Sequence, residues 1–195
     1  SSQSITIENT LPVIDSIIIT PTSPTAETST FSCVVTSSDA DEEIPTHTYE
    51  WSLDGDILSF TTPDIVSVTH QYNQELTCTA TPHDDSEAGL SESASTLITN
   101  TPPVVSAIQF DQSTYDTLDS ITVSASLSDA DQEQEASLSA IYEWHVVHDS
   151  VDSIVQTGSV NTLDGSYFVR ADEVFVTITA NDGITDGTSV SSSST

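Results

Sequence analysis

Two short acidic motifs carry most of the chemistry available to this sequence: Asp39-Ala40-Asp41 and Asp129-Ala130-Asp131. A later acid accompanies each, Asp84 after His83 and Asp182 after Asn181. Clustered carboxylates supply the hard oxygen donors, about six to eight in number, that Ca2+ takes in flexible geometry. A single Asp-x-Asp is weak evidence, because Asp is a favoured turn residue. Its return at a second, matching place gives the pattern weight. Glu42, Glu43, Glu133 and Glu135 flank the motifs, either as further donors or as solvated loop charge.

No other constellation has the spacing its chemistry needs. His145 and His148 flank Val146-Val147, and on a strand an i, i+3 pair points to opposite faces. His47, His70 and His83 are scattered. No G-x-S-x-G elbow, phosphate loop or H-E-x-x-H occurs. Ser, His and Asp are common enough here that a triad can be drawn at will and means nothing. No catalytic residue is assigned, and the chain reads as a non-enzyme.

Charge narrows the partners. Against 31 acidic residues stands one basic residue, Arg170, giving a formal net charge of -30. Such a chain repels phosphate backbones and anionic membrane surfaces, which excludes nucleic-acid binding and membrane association. No apolar run approaches the roughly 20 residues of a membrane span. Self-repulsion on this scale opposes compaction, and divalent cations or high salt would offset it. A halophilic or marine solubility adaptation is the plainer alternative. Ser and Thr are abundant, so O-linked glycans are a compositional expectation; no Asn-x-Ser/Thr sequon is present.

The elements that must position these acids repeat. Asn9-Thr10-Leu11-Pro12 returns as Asn100-Thr101-Pro102-Pro103, Ser38-Asp39-Ala40-Asp41 as Ser128-Asp129-Ala130-Asp131, and Tyr49-Glu50-Trp51 as Tyr142-Glu143-Trp144. Leu76 through His83-Asp84 to Gly89 matches Val174 through Asn181-Asp182 to Gly187. Four landmarks in one order mark a duplication, with domains at 9–99 and 100–195. Period-two alternation at Phe31–Thr36, Ile65–Thr69, Leu76–Ala80, Ile121–Leu127 and Val174–Thr179 predicts strands. Many short strands broken by turn residues predict an all-β fold of sandwiches.

In the first repeat Cys33, Trp51 and Cys78 follow one another at a spacing that resembles the immunoglobulin fold. The resemblance implies two tandem immunoglobulin-like Greek-key β-sandwiches, with Cys33 and Cys78 bridging the sheets beside a core Trp. Val123, Trp144 and Val176 stand at the matching places of the second repeat, and apolar replacement of both cysteines suits a core position. Two free buried thiols are the alternative. A disulfide implies an oxidising compartment. The Asn-Thr-Pro-Pro type linkers and Asp-Ala-Asp loops also look like the Ig-like, PKD-like and cadherin-like repeats of large bacterial and archaeal extracellular surface proteins. A Tyr two residues before the second Cys, usual in antibody-like domains, is replaced here by Leu76.

Under that resemblance the Asp-Ala-Asp motifs fall in the loop between the second and third strands and Asp84 and Asp182 in a late loop at the same end. The linkers enter there too. The implied Ca2+ ligands are Asn9, Asp39, Asp41 and Asp84, and Asn100, Asp129, Asp131 and Asp182. The expected function is a structural repeat of a filament, stalk or surface rod at the cell surface, stiffened by calcium at its junctions. An adhesin or carbohydrate-binding module is the alternative; an accessory domain of a secreted hydrolase is a third reading. Residues 1–8 resemble the end of the first repeat, so they are expected to complete a neighbouring repeat, with identical copies continuing head to tail either in one covalent array or by donation of that strand to the next subunit.

Overall fold

The computed structural model describes residues 3–193; the ends of the 1–8 segment and of the Ser/Thr tail, at positions 1–2 and 194–195, lie outside the described residues. Half-buried strands dominate it, and the chain divides into two units, Ser1–Asn100 and Thr101–Thr195.

The first unit is a sandwich of two antiparallel sheets. Strands β1 (Val13–Thr20), β2 (Thr30–Ser38) and β5 (Asp64–Val66) form one sheet in the order β1-β2-β5. Strands β3 (Thr46–Leu53), β4 (Asp56–Ile57), β6 (Glu75–His83) and β7 (Glu92–Leu97) form the other, in the order β4-β3-β6-β7. The chain therefore crosses between sheets after β2, β4 and β5, as an immunoglobulin-like Greek key does. Period-two burial is sharpest on β6, where Leu76, Cys78, Ala80 and Pro82 point inward and the residues between them outward.

Among the described residues, seven strands repeat the plan in the second unit. Strands β8 (Val104–Phe110), β9 (Ile121–Ser128) and β12 (Thr162–Leu163) make one sheet. Strands β10 (Ser139–His148), β11 (Val151–Gly158), β13 (Glu173–Asn181) and β14 (Val190–Ser191) make the other, in the order β11-β10-β13-β14.

Each core is built on a fully buried Trp. Trp51 donates its indole N–H to the Thr62 carbonyl at 2.9 Å, and Trp144 to that of Val160 at 3.3 Å. Cys33 and Cys78 form a disulfide, each cysteine on a different sheet. In the chain-entropy picture a loop of this length contributes about 4 kcal/mol. Val123 and Val176, both buried, occupy the matching positions of the second core.

The strand expected at Ile65–Thr69 stops at Val66. Ser67 takes a positive φ of 57°, and its N–H bonds the Ser29 carbonyl, which turns Val68 back into the core. Phe60 and Tyr115 pack against the two cores, whereas Tyr167 is exposed.

Candidate metal centres at the sandwich ends

In the first unit the loop after β2 carries Asp39, Asp41 and Glu43, and the loop after β6 carries Asp84. Asp39 folds its loop by accepting the Asp41 N–H on Oδ1 at 2.7 Å. Asp41 accepts the Thr10 N–H on Oδ2 at 2.6 Å, which ties the loop to the incoming chain. Asp84 accepts the Ser86 and Glu87 N–H groups on Oδ1 at 2.6 and 2.7 Å, and the Asn9 amide on Oδ2 at 2.9 Å. The Asn9 bond, then those to Glu87 and Ser86, holds the Asp84 carboxyl below its ordinary pKa.

The second unit repeats the backbone part of this wiring. Asp129 Oδ1 accepts the Asp131 N–H at 2.8 Å, and Asp131 Oδ2 accepts the Thr101 N–H at 2.7 Å. Asp182 Oδ1 accepts the N–H groups of Ile184 and Thr185 at 2.6 and 2.7 Å. Two glycines let the linker come this close. A Cβ on Gly89 would lie 1.9 Å from the Pro12 carbonyl oxygen, and one on Gly187 the same distance from that of Pro103.

Each of these six aspartates thus spends one oxygen, or both, on local structure, and certain oxygens are left over. Asp39 Oδ2 and its counterpart Asp129 Oδ2 are both buried without a hydrogen-bond partner. In the second unit Asp131 is 1% exposed and its Oδ1 is also unpartnered, while Asp182 is 2% exposed. Burial, then the charges of Asp131, Asp182 and Glu135, push the Asp129 carboxyl up against the pull of the Asp131 N–H. In the first unit one oxygen each from Asp39, Glu43 and Asp84 lies within 4.8 Å of the others. Glu43 is raised by partial desolvation and by Asp84, Asp85, Asp39 and Asp41. Such clusters disfavour the charged state unless a cation joins them. Carboxylate oxygens, with the Asn9 amide beside Asp84, are donors of the hard type that Ca2+ takes.

The units differ in depth. The first loop is exposed at Asp41, Glu42 and Glu43, with Glu42 at a positive φ of 65°. The second loop is longer and winds into a 3-10 turn over Gln132–Ser137, which covers Asp131 and buries Gln134. Glu135 is no idle surface charge: its Oε1 accepts the Asp129 N–H at 3.1 Å. Glu133 stays exposed. Asn9 meets Asp84 as above, while Asn100 closes the first unit and is half-buried. The sequence of the 3-10 turn, Gln132–Ser137, has no apolar periodicity to signal it.

Two histidines outside these clusters are tied into the second unit's structure. His145 is nearly buried, bonded to Asp152 and Glu143 and stacked on Phe175 with ring centroids 4.2 Å apart. His148 bonds Asp172 instead, so the two histidines serve separate networks.

No protein-family model matches the sequence, and no curated protein matches it. Among solved structures the chain is similar to a two fibronectin type-III domain segment from chicken tenascin. That similarity has 14% identity, covers 92% of this chain and 97% of that one, and has a TM-score of 0.42. The strand order of each unit makes it an immunoglobulin-like sandwich without that likeness.

Proposed function

We propose that the chain is a structural repeat unit of an extracellular filament, stalk or surface rod, which binds Ca2+ at its sandwich ends and continues head to tail into identical units. The observation that carries the calcium reading is the pair of equivalent oxygens, Asp39 Oδ2 and Asp129 Oδ2, both buried and unpartnered. Burying a carboxylate oxygen without a partner costs free energy, and the same atom bears that cost in both units. Asp131, buried with a second unpartnered oxygen, adds to it. One Arg and no Lys leave the protein almost no cation of its own. Bound Ca2+ would hold the loops whose Asp41 and Asp131 grip Thr10 and Thr101, and so stiffen the points where chain enters each sandwich.

A structural role is supported by where the aromatic surface lies. Both Trp are fully buried, which leaves no exposed indole to stack on a sugar. The disulfide fits an oxidising, extracellular setting, and among the described residues no helix is long and apolar enough to cross a membrane. Calorimetric titration with CaCl2 tests the calcium reading: saturable binding that falls sharply in a combined Asp129→Asn and Asp131→Asn chain supports it, and no heat at millimolar Ca2+ refutes it.

A further inference from the structure

In the first sandwich the chain beyond β7 plugs the core. Ile98 is fully buried in the cluster with Phe31 and Leu76. It is held by its N–H on the Gln74 carbonyl and by the Asn73 N–H on its own carbonyl, both at 2.9 Å. Thr99 follows, donating its N–H to the Pro24 carbonyl at 2.7 Å and forming a parallel bridge with Thr25.

The second sandwich has the same receptor. Gln71 N–H to Gln74 Oε1 and Gln74 N–H to Gln71 O are matched by Val169 N–H to Asp172 Oδ2 and Asp172 N–H to Val169 O. Asn73 at φ 67° is matched by Ala171 at φ 78°. The Thr25–Thr28 turn is matched by Asp116–Asp119, each closed by one backbone and one side-chain bond. Between these elements lies a cavity of about 580 Å³. Ile121, Phe168 and Val174 give it apolar lining, and Tyr115, Arg170 and Asp172 polar lining. Strand β14 pairs β13 at Thr177 and Ile178, whereas β7 pairs β6 from Glu75 to Ala80. No described residue of β14 lines the cavity.

The chain also carries the matching plug. Aligning Asn9-Thr10-Leu11-Pro12 with Asn100-Thr101-Pro102-Pro103 sets Ile7 on Ile98 and Glu8 on Thr99. Ile5 and Ile7 are 88% and 80% exposed, in a segment outside any sheet. Segment 4–8 bears one charge, Glu8, and the one base of the chain, Arg170, lines the cavity.

We propose that this cavity binds Ile7 of a second copy of the chain, with Ser4–Glu8 added to the second sandwich in the register of Ser95–Thr99. Main-chain bonds to the Ala171 N–H and the Asp172 and Tyr115 carbonyls hold the backbone, and the apolar pocket selects the side chain, as in strand addition to a sheet edge. The contact joins unlike surfaces, one at each end, so it propagates as an open head-to-tail assembly. The inference deepens the head-to-tail part of the proposed function and does not rest on the calcium part.

Sedimentation equilibrium of the full chain from micromolar to millimolar concentration, in CaCl2 and in EDTA, tests it. Wild type should associate in a concentration-dependent, open-ended way. Ile7→Asp should weaken association on the order of 30- to 100-fold through lost burial of one isoleucine. It should leave the melting temperature unchanged, because Ile7 is exposed in the single chain. A second arm pairs Ile7→Cys with Val169→Cys on the pocket wall; mild oxidation should give a ladder of linked multimers. A monomer at every concentration in both buffers, association that survives Ile7→Asp, or cross-linking only within one chain overturns the proposal.

Discussion

The carbonyl oxygen of Pro103 stands 1.9 Å from the point a Cβ on Gly187 would occupy, so the linker can seat only against a glycine. Gly89 and Pro12 repeat the relationship in the first unit. The contact places the linker beside the acidic loops, where Thr10 and Thr101 bond Asp41 and Asp131. Gly187→Ala should destabilise the second unit by about 1–3 kcal/mol, as overpacking does. Urea unfolding monitored at Trp144 checks this; an unchanged midpoint would contradict the packing.

Calcium should stabilise the folded chain by mass action, about 2.7 kcal/mol at one hundred times the dissociation constant. Differential scanning calorimetry in millimolar CaCl2 should therefore show a higher melting temperature than in EDTA. Asp131→Asn should raise the melting temperature in EDTA, since it removes a buried charge from the cluster, and lower the gain from Ca2+. Equal melting in both buffers for the wild type speaks against the site.

Reduction should act on one unit only. Cys33–Cys78 ties the first sandwich, and the second core holds Val123 and Val176 instead. Cys33→Ala with Cys78→Ala should cost the first unit about 4 kcal/mol or more and leave the transition reported by Trp144 in place. Single-Trp variants separate the two signals.

His148 and Asp172 link the end of β10 to the turn before β13. The hydrogen bond to Asp172, its charge and then Asp149 raise the His148 pKa. A raised folded-state value means the histidinium form favours folding. That stability is fully present below about pH 6.5, the unfolded value, and is lost as pH rises through the higher folded value. Asp172→Asn should return the His148 titration, followed by NMR, toward the ordinary value and flatten the dependence of stability across that window.

Sequence alone determined the duplication, the sandwich class and the cores. Those features are local: inward residues recur every second position, and Val123 and Val176 match Cys33 and Cys78 because both pairs fill the same apolar site. The Ser/Thr excess became structural only once strands paired. Thr77–Ser95 and Thr79–Ser93 form hydroxyl pairs across β6 and β7, extended by Thr81–Ser91 just before β7, and Thr177–Ser191 and Thr179–Ser189 do so at β13 and β14.

Tertiary structure decided which acids are buried and which isoleucine enters a core. Asp131 and Asp41 are the same residue in the same motif, yet Asp131 is buried because a longer loop folds a 3-10 turn over it. Ile98 and Ile7 likewise sit in similar sequence, and Ile98 is a core residue because Gln74, Asn73 and Pro24 wait beside it, while Ile7 is exposed. Burial is a property of what distant segments bring to a position, and no pattern within the segment encodes it.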